Sequence, residues 1–331
     1  MRNLCFGLMA LALLSILPAS SSNAASDEKK VSKVGILWHA ANLEEEAVMF
    51  GPLAQGLREL GYVEGRNVVF EHTFVDEKYE RFPSRAQELL DKKVDVILAS
   101  VAAAAVAASK LTKDVPIVFA TSSGDPAKIG LVESIRRPGG NMTGLTLFAP
   151  ELTLKHLELL REIVPNLSRV AILWNPSNDD HPSVVKGAEE TARLLNLEIV
   201  PVGARSPDEF PVAFSAIEKA NAGGLVVLVD SMLRVNRKSI VDFVAARRLP
   251  AIYATRDYVE SGGLMGYGAC IPCNFKRSAK YVVDILKGAK PADMPVDQPA
   301  KFDTLVNLRT AKALNISIPS SILLRADEVI E

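Results

Sequence analysis

Along this chain, short continuous apolar runs alternate with segments whose apolar residues recur every third or fourth position. Residues 34–38 (Val-Gly-Ile-Leu-Trp), 68–70, 94–99 and 115–119 are β-prone runs with few polar interruptions, as expected of strands covered on both faces. Between them, 44–60 carries Leu53, Leu57 and Leu60 at helical spacing and stops at Gly61, and 81–90 and 101–110 continue the alternation. Strands separated by helices of this length predict βαβ crossovers and a mostly parallel sheet.

The pattern then starts again. Helices at 152–164 (ended by Pro165), 184–195, 207–220 and 236–247 alternate with strands at 170–174, 197–200, 225–229 and 251–253. Ala171-Ile172-Leu173-Trp174-Asn175 echoes Gly35-Ile36-Leu37-Trp38-His39. The expected fold is therefore α/β, with two doubly wound parallel-sheet lobes. A strand at 264–267, a helix at 275–286, a strand at 301–306 and a helix at 308–314 make units too small to bury their own faces, so they should join the two sheets. The expected division is 26–148 with about 259–294 in lobe 1, and 149–258 with about 295–331 in lobe 2. Several crossings make a hinge, and a hinge between two α/β lobes makes a cleft that can close.

The first twenty-five residues read as a secretory signal, 1–25. Arg2 precedes an apolar stretch over 4–17, Pro18 breaks it, and Ser20 to Ala25 are small residues suited to cleavage. The stretch is shorter than the roughly 20 residues that span a bilayer, and Cys5 lies at its start and not after it, where no lipid anchor is expected. The product should be exported (periplasmic or equivalent) and soluble after cleavage. Export would leave Cys270 and Cys273 in an oxidising compartment, as two loop residues, free or locally bridged. With 48% hydrophobic and 23% charged residues and a net charge of −1, the chain lacks the basic stripe of a nucleic-acid binder. A small molecule or a protein remains as partner.

In open parallel sheets, ligands bind beyond the carboxyl ends of the strands. That rule selects Trp38, His39 and Asn42 after the first strand, Ser100 after the third, and Ser122, Gly124 and Asp125 after the fourth. From the second half it selects Asn175, Asp230, Ser231, Thr255 and Arg256. Ser100 and Ser122 lie near helix N-termini, which favour a carboxylate. Asp125 or Asp230 could pair with an ammonium group, and Trp38 could pack on an apolar side chain. Each has a structural competitor: Ser100 as a helix cap, Asp125 as the start of a turn before Pro126, Trp38 and Trp174 as core. No nucleophile elbow, phosphate loop or dinucleotide fingerprint is present. His39, His72, His156 and His181 are scattered, so no enzyme activity, metal or cofactor is expected.

Longer stretches carry a family resemblance. They are Gly124-Asp125-Pro126, the segment 130–145 with Arg136-Arg137-Pro138-Gly139-Gly140-Asn141, Lys155-His156-Leu157-Glu158, and Leu173-Trp174-Asn175-Pro176. Gly262-Gly263-Leu264-Met265, Leu286-Lys287-Gly288 and the terminal Arg325-Ala326-Asp327-Glu328 extend it to the end. From Val34 onward the chain resembles the ABC transporter substrate-binding family related to bacterial tryptophan- and tyrosine-binding proteins. The resemblance implies a type I periplasmic-binding-protein fold that holds an amino acid or related small solute between the lobes and delivers it to a membrane permease and its ATPase. The expected binder is a monomer. The chain departs from the family at Ser100-Val101-Ala102 and in carrying Cys270 and Cys273. An exported ligand sensor, or a thiol-disulfide oxidoreductase built on the two cysteines, are the alternatives.

Overall fold

The structure, a computed structural model, describes residues 31–147, 149–299 and 302–331. The signal segment 1–25 and the proposed strand start at 301 lie outside the described residues. Among the described residues, no helix is long and apolar enough to cross a membrane.

The first half forms β1 (Ser32–Trp38), α1 (Ala47–Glu59), β2 (Val68–Phe74), α2 (Phe82–Asp91), β3 (Val96–Ala99), α3 (Ala102–Leu111), β4 (Ile117–Phe119) and β5 (Met142–Gly144). These strands make one parallel sheet in the order β2-β1-β3-β4-β5. Side chains of successive strand residues point to opposite faces. Val34, Ile36, Trp38, Val96, Leu98 and Val118 thus share one buried layer, while Leu37, Ile97, Ala99, Ile117 and Phe119 share the other. Two covered faces explain the unbroken apolar runs.

The second half forms α4 (Ala149–Ile163), β6 (Arg169–Trp174), α5 (His181–Leu194), β7 (Glu198–Gly203), α6 (Phe210–Lys219), β8 (Gly224–Val227) and α7 (Ser231–Val235). It continues through α8 (Arg237–Ala246), β9 (Ala251–Tyr253), α9 (Arg256–Glu260) and β10 (Met265–Gly268). The chain then returns to the first lobe, where α10 (Ile271–Leu286) packs along α1. It finishes in the second lobe with β11 (Asp303–Asn307), α11 (Leu308–Ala313), α12 (Ser320–Leu323) and β12 (Glu328–Ile330). The second sheet has the order β12-β11-β10-β9-β8-β6-β7.

The two-lobed α/β reading stands, with three differences. β10 pairs with β9, so residues up to Gly268 belong to the second sheet and the return crossing comes about ten residues after 259. At that crossing Gly268 runs so close to the Ala254 carbonyl that any Cβ would overlap it. Second, β11 runs antiparallel to β10, with Met265 opposite Val306. The cause is the excursion itself: β10 exits at the cleft end of the sheet, and β11 re-enters from the same end. Third, β5 and β12 have no counterpart in the apolar pattern. Met142-Thr143-Gly144 is too short and too polar to signal a strand, and β12 is a half-exposed edge.

Candidate functional site

The carboxyl ends of β1, β3 and β4 face those of β6, β8 and β9, and between them lies a cavity of about 40 Å³. Lobe 1 lines it with His39, Ser100, Val101 and Thr121, and lobe 2 with Asp180, Asp230, Ser231 and Thr255. Ser100 was expected to cap α3, but the cap position belongs to Val101, whose backbone is extended and whose side chain cannot accept a hydrogen bond. Val101, Ala102 and Ala103 therefore bring an uncapped helix start to the cavity wall, a setting that favours an anion. The Ser100 hydroxyl instead meets His39 Nδ1 at 3.1 Å.

His39 is the centre of a buried polar group. Its Nδ1 also lies 3.1 Å from Glu46 Oε1, and its Nε2 lies 4.0 Å from Glu77 Oε1. Burial, helped by the Arg234 charge, lowers the His39 pKa to about 3, so the ring is neutral. Burial raises Glu46 to about 7, partly offset by Arg234 and a backbone hydrogen bond from Ala40. Burial raises Glu77 to about 9, with Asp230 and Glu46 adding to the shift. Asp76 and Glu77 both sit at φ 56°, an arrangement uncommon for residues with side chains. Their N–H groups donate to the Ala40 and His39 carbonyls at 3.1 and 2.7 Å, which pins the turn against the end of β1.

From the other lobe, Asp230 caps α7 by accepting from Leu233 N at 3.1 Å. It also accepts from the Asn175 amide at 3.2 and 3.3 Å and from the Asn178 amide at 3.1 Å. Arg234 donates to Asp257 at 3.2 Å. Asp180, just before α5, reaches across the cleft and accepts from Ser123 N at 2.8 Å and Gly124 N at 3.1 Å. Burial raises its carboxyl, and the two N–H groups act against that rise. These bonds hold the lobes in contact. Beyond Met49, Arg234 and Ile271 opens a second chamber of about 170 Å³, lined by Tyr267, Cys270 and Leu305 among others. Cys270 and Cys273 are bridged there, and Cys270 caps α10 by accepting from Cys273 N.

Of the residues selected by the strand-end rule, His39, Ser100, Asp230, Ser231 and Thr255 meet at the inner cavity. Asn175 stands behind Asp230, Gly124 takes part through its N–H, and Arg256 lines the outer chamber while pairing with Glu260 and Glu328. Four lie elsewhere. Trp38 is fully buried, stacked on Phe275 at 5.6 Å, with Nε1 donating to His72 at 3.0 Å. Asn42 is exposed and accepts from Glu45 N at 3.1 Å. The Ser122 hydroxyl donates to the Gly124 carbonyl at 3.1 Å. Asp125 shapes the turn by accepting from Ala127 N at 3.0 Å. Sequence reasoning missed Glu46, Glu77, Tyr79, Asp180, Arg234 and Tyr258. Asp180 carried a signal, because Pro182 at the second position of α5 marks a helix start. The others are brought in by tertiary closure and have no local signature. Among the described residues, no group of three or more His, Cys, Asp or Glu side chains is placed to hold a metal ion.

The profile of the ABC transporter substrate binding protein family matches residues 39–330. A tyrosine-binding protein of Clostridioides difficile (strain R20291) is 28% identical over 306 residues, covering 90% of this chain and 85% of that protein. A Streptococcus pneumoniae structure solved with L-Trp covers 90% of this chain and 99% of its own, with a TM-score of 0.83 at 24% identity. The ligand-free, open structure of a substrate binding protein with adhesive properties from Clostridium difficile covers 91% and 99%, with a TM-score of 0.66 at 25% identity.

Proposed function

This chain belongs to the ABC transporter substrate-binding protein family, and on that premise we propose that it is an exported receptor for an amino acid. It captures the solute between its lobes and passes it to a membrane permease driven by an ATPase. The observation that carries this reading is one cavity that sets the uncapped start of α3 opposite the carboxyls of Asp180 and Asp230. An α-carboxylate fits the first, and an α-ammonium fits the second. The inner cavity suits this head group, and the larger, mostly hydrocarbon outer chamber suits an apolar side chain. The tyrosine-binding relative and the L-Trp complex favour an aromatic one. The better superposition on the L-Trp complex than on the open form agrees with a closed, ligand-holding arrangement.

On this reading the binder works as a monomer, needs no cofactor and catalyses no reaction, and the bridged Cys270–Cys273 pair shows no turnover in a thiol-exchange assay. The test is a thermal-shift and calorimetry screen of the mature protein, refolded to remove carried-over solute. L-tryptophan and L-tyrosine are expected to raise the melting temperature and to saturate, whereas glycine, sugars and purines should not. Micromolar affinity corresponds to about −8 kcal/mol, within reach of two charge pairs and one buried ring. A panel in which sugars or purines shift the protein and amino acids do not would refute the amino-acid assignment.

A further inference from the structure

Resting on the amino-acid reading, we infer that the Cys270–Cys273 bridge is a redox-addressable control on ligand affinity. A dithiol that reduces it loosens the wall of the outer chamber and weakens binding.

The bridge sits where the chain crosses from the second sheet back to the first lobe, between β10 and the body of α10. The loop it closes spans a sequence separation of only 3. So short a loop limits how far the bridge can stabilise the whole fold by restricting the unfolded chain. Its local effect falls on the ligand site. Cys270, Ile271 and Pro272 line the outer chamber of about 170 Å³, and Ile271 also lines the inner cavity. From Phe275 onward α10 is anchored, because that ring is buried and stacks on Trp38 at 5.6 Å. The turn before it has weaker ties. Asn274 N donates to the Cys270 carbonyl at 3.1 Å, and Cys273 N donates to the Cys270 sulfur at 3.2 Å. Pro272 has no N–H to give. Sulfur is a weak acceptor, so the covalent bond is the firm constraint on the loop that carries Ile271.

Exposure sets the course of reduction. Cys273 is exposed and Cys270 is half-buried, so a thiolate of the dithiol attacks Cys273 Sγ. The Cys270 sulfur then leaves with the electron pair of the S–S bond. The start of α10 stabilises the charge that develops on it, and solvent supplies a proton. The second thiolate of the dithiol displaces Cys273, which also takes a proton. The protein thereby gains two thiols, and the reductant becomes its own disulfide. One such exchange changes the state of the receptor and turns over nothing. Once unbridged, the loop is free to rearrange, and a mostly hydrocarbon wall gains a thiol. Linkage makes the effect reciprocal: a ligand that binds the bridged form better must oppose reduction by the same factor.

The chain from residue 26 onward holds no other cysteine, so two thiols counted after dithiothreitol treatment of the mature protein report the bridge alone. Calorimetry with L-tryptophan should show affinity falling roughly fivefold or more on reduction. Saturating L-tryptophan should make the bridge harder to reduce by the same factor. Cys270→Ala/Cys273→Ala should bind like the reduced protein and ignore dithiothreitol. Three results would each overturn the inference: a bridge that resists excess dithiothreitol in the native protein, reduced protein that binds as tightly as oxidised, or a double variant that still responds to dithiothreitol. If neither form binds an amino acid, the amino-acid reading fails by itself. Hydrogen exchange then decides: the Cys273 and Asn274 amides should exchange faster on reduction, and unchanged exchange overturns the inference too.

Discussion

At the scale of single residues, position parity separates what was readable from what was not. The strand-end rule selects His39, Ser100, Asp230 and Thr255, which line the cavity, because it depends only on where a strand stops. It fails for Trp38 because that residue is still inside β1, on the face of Val34 and Ile36. The alternation along 34–38 already contained that information. Glu77 could not have been found, since its place depends on a turn with two left-handed residues folding onto Ala40. Asp230 has two tasks, and a substitution should expose both. Asp230→Ala removes the α7 cap and strands the Asn175 and Asn178 amides, costing about 1–2 kcal/mol of stability. It also deletes an acceptor from the cavity wall. A lowered melting temperature together with a tenfold or greater loss of ligand affinity is the expected pair of results.

At the scale of elements, the long helices and the buried apolar strands announced themselves, even β9 at three residues, whereas the short helices and the short strands without an apolar run did not. β5, α7, α9 and β12 are each five residues or fewer, too few for a period to emerge. Their positions are set by neighbours already in place. The start of α5 does more than begin a helix, because Asp180 there joins the lobes through two backbone N–H groups. Hydrogen bonds to a charged group contribute about 1.5–3 kcal/mol, so Asp180→Ala should shift the empty protein towards open forms. Small-angle scattering would register a larger radius of gyration, and a radius unchanged from wild type would show that Asp180 does not hold the cleft. The Cys270–Cys273 bridge closes a very small loop at the start of α10. Chain-entropy arguments give such a loop about 2 kcal/mol. Denaturant melts of the double alanine variant should show a loss of that order or less.

At the scale of the molecule, two similar halves and repeated crossings were visible in the sequence, but the direction of the last return was not. No local pattern reveals that β11 re-enters beside β10 from the cleft end. The closed cleft also predicts a bulk property: ligand present at a hundred times its dissociation constant should add about 2.7 kcal/mol to the stability of the whole chain. A melting temperature indifferent to saturating ligand would mean that the cleft is not the site. The crossings carry a further implication for descent. Lobe 1 is assembled from residues before 148 and from α10, and lobe 2 from the segments on either side of α10. Neither lobe is encoded by one continuous piece of gene, so a single crossover cannot exchange half a receptor for half of another. Point changes around the existing cleft are then the simplest route to a new solute preference.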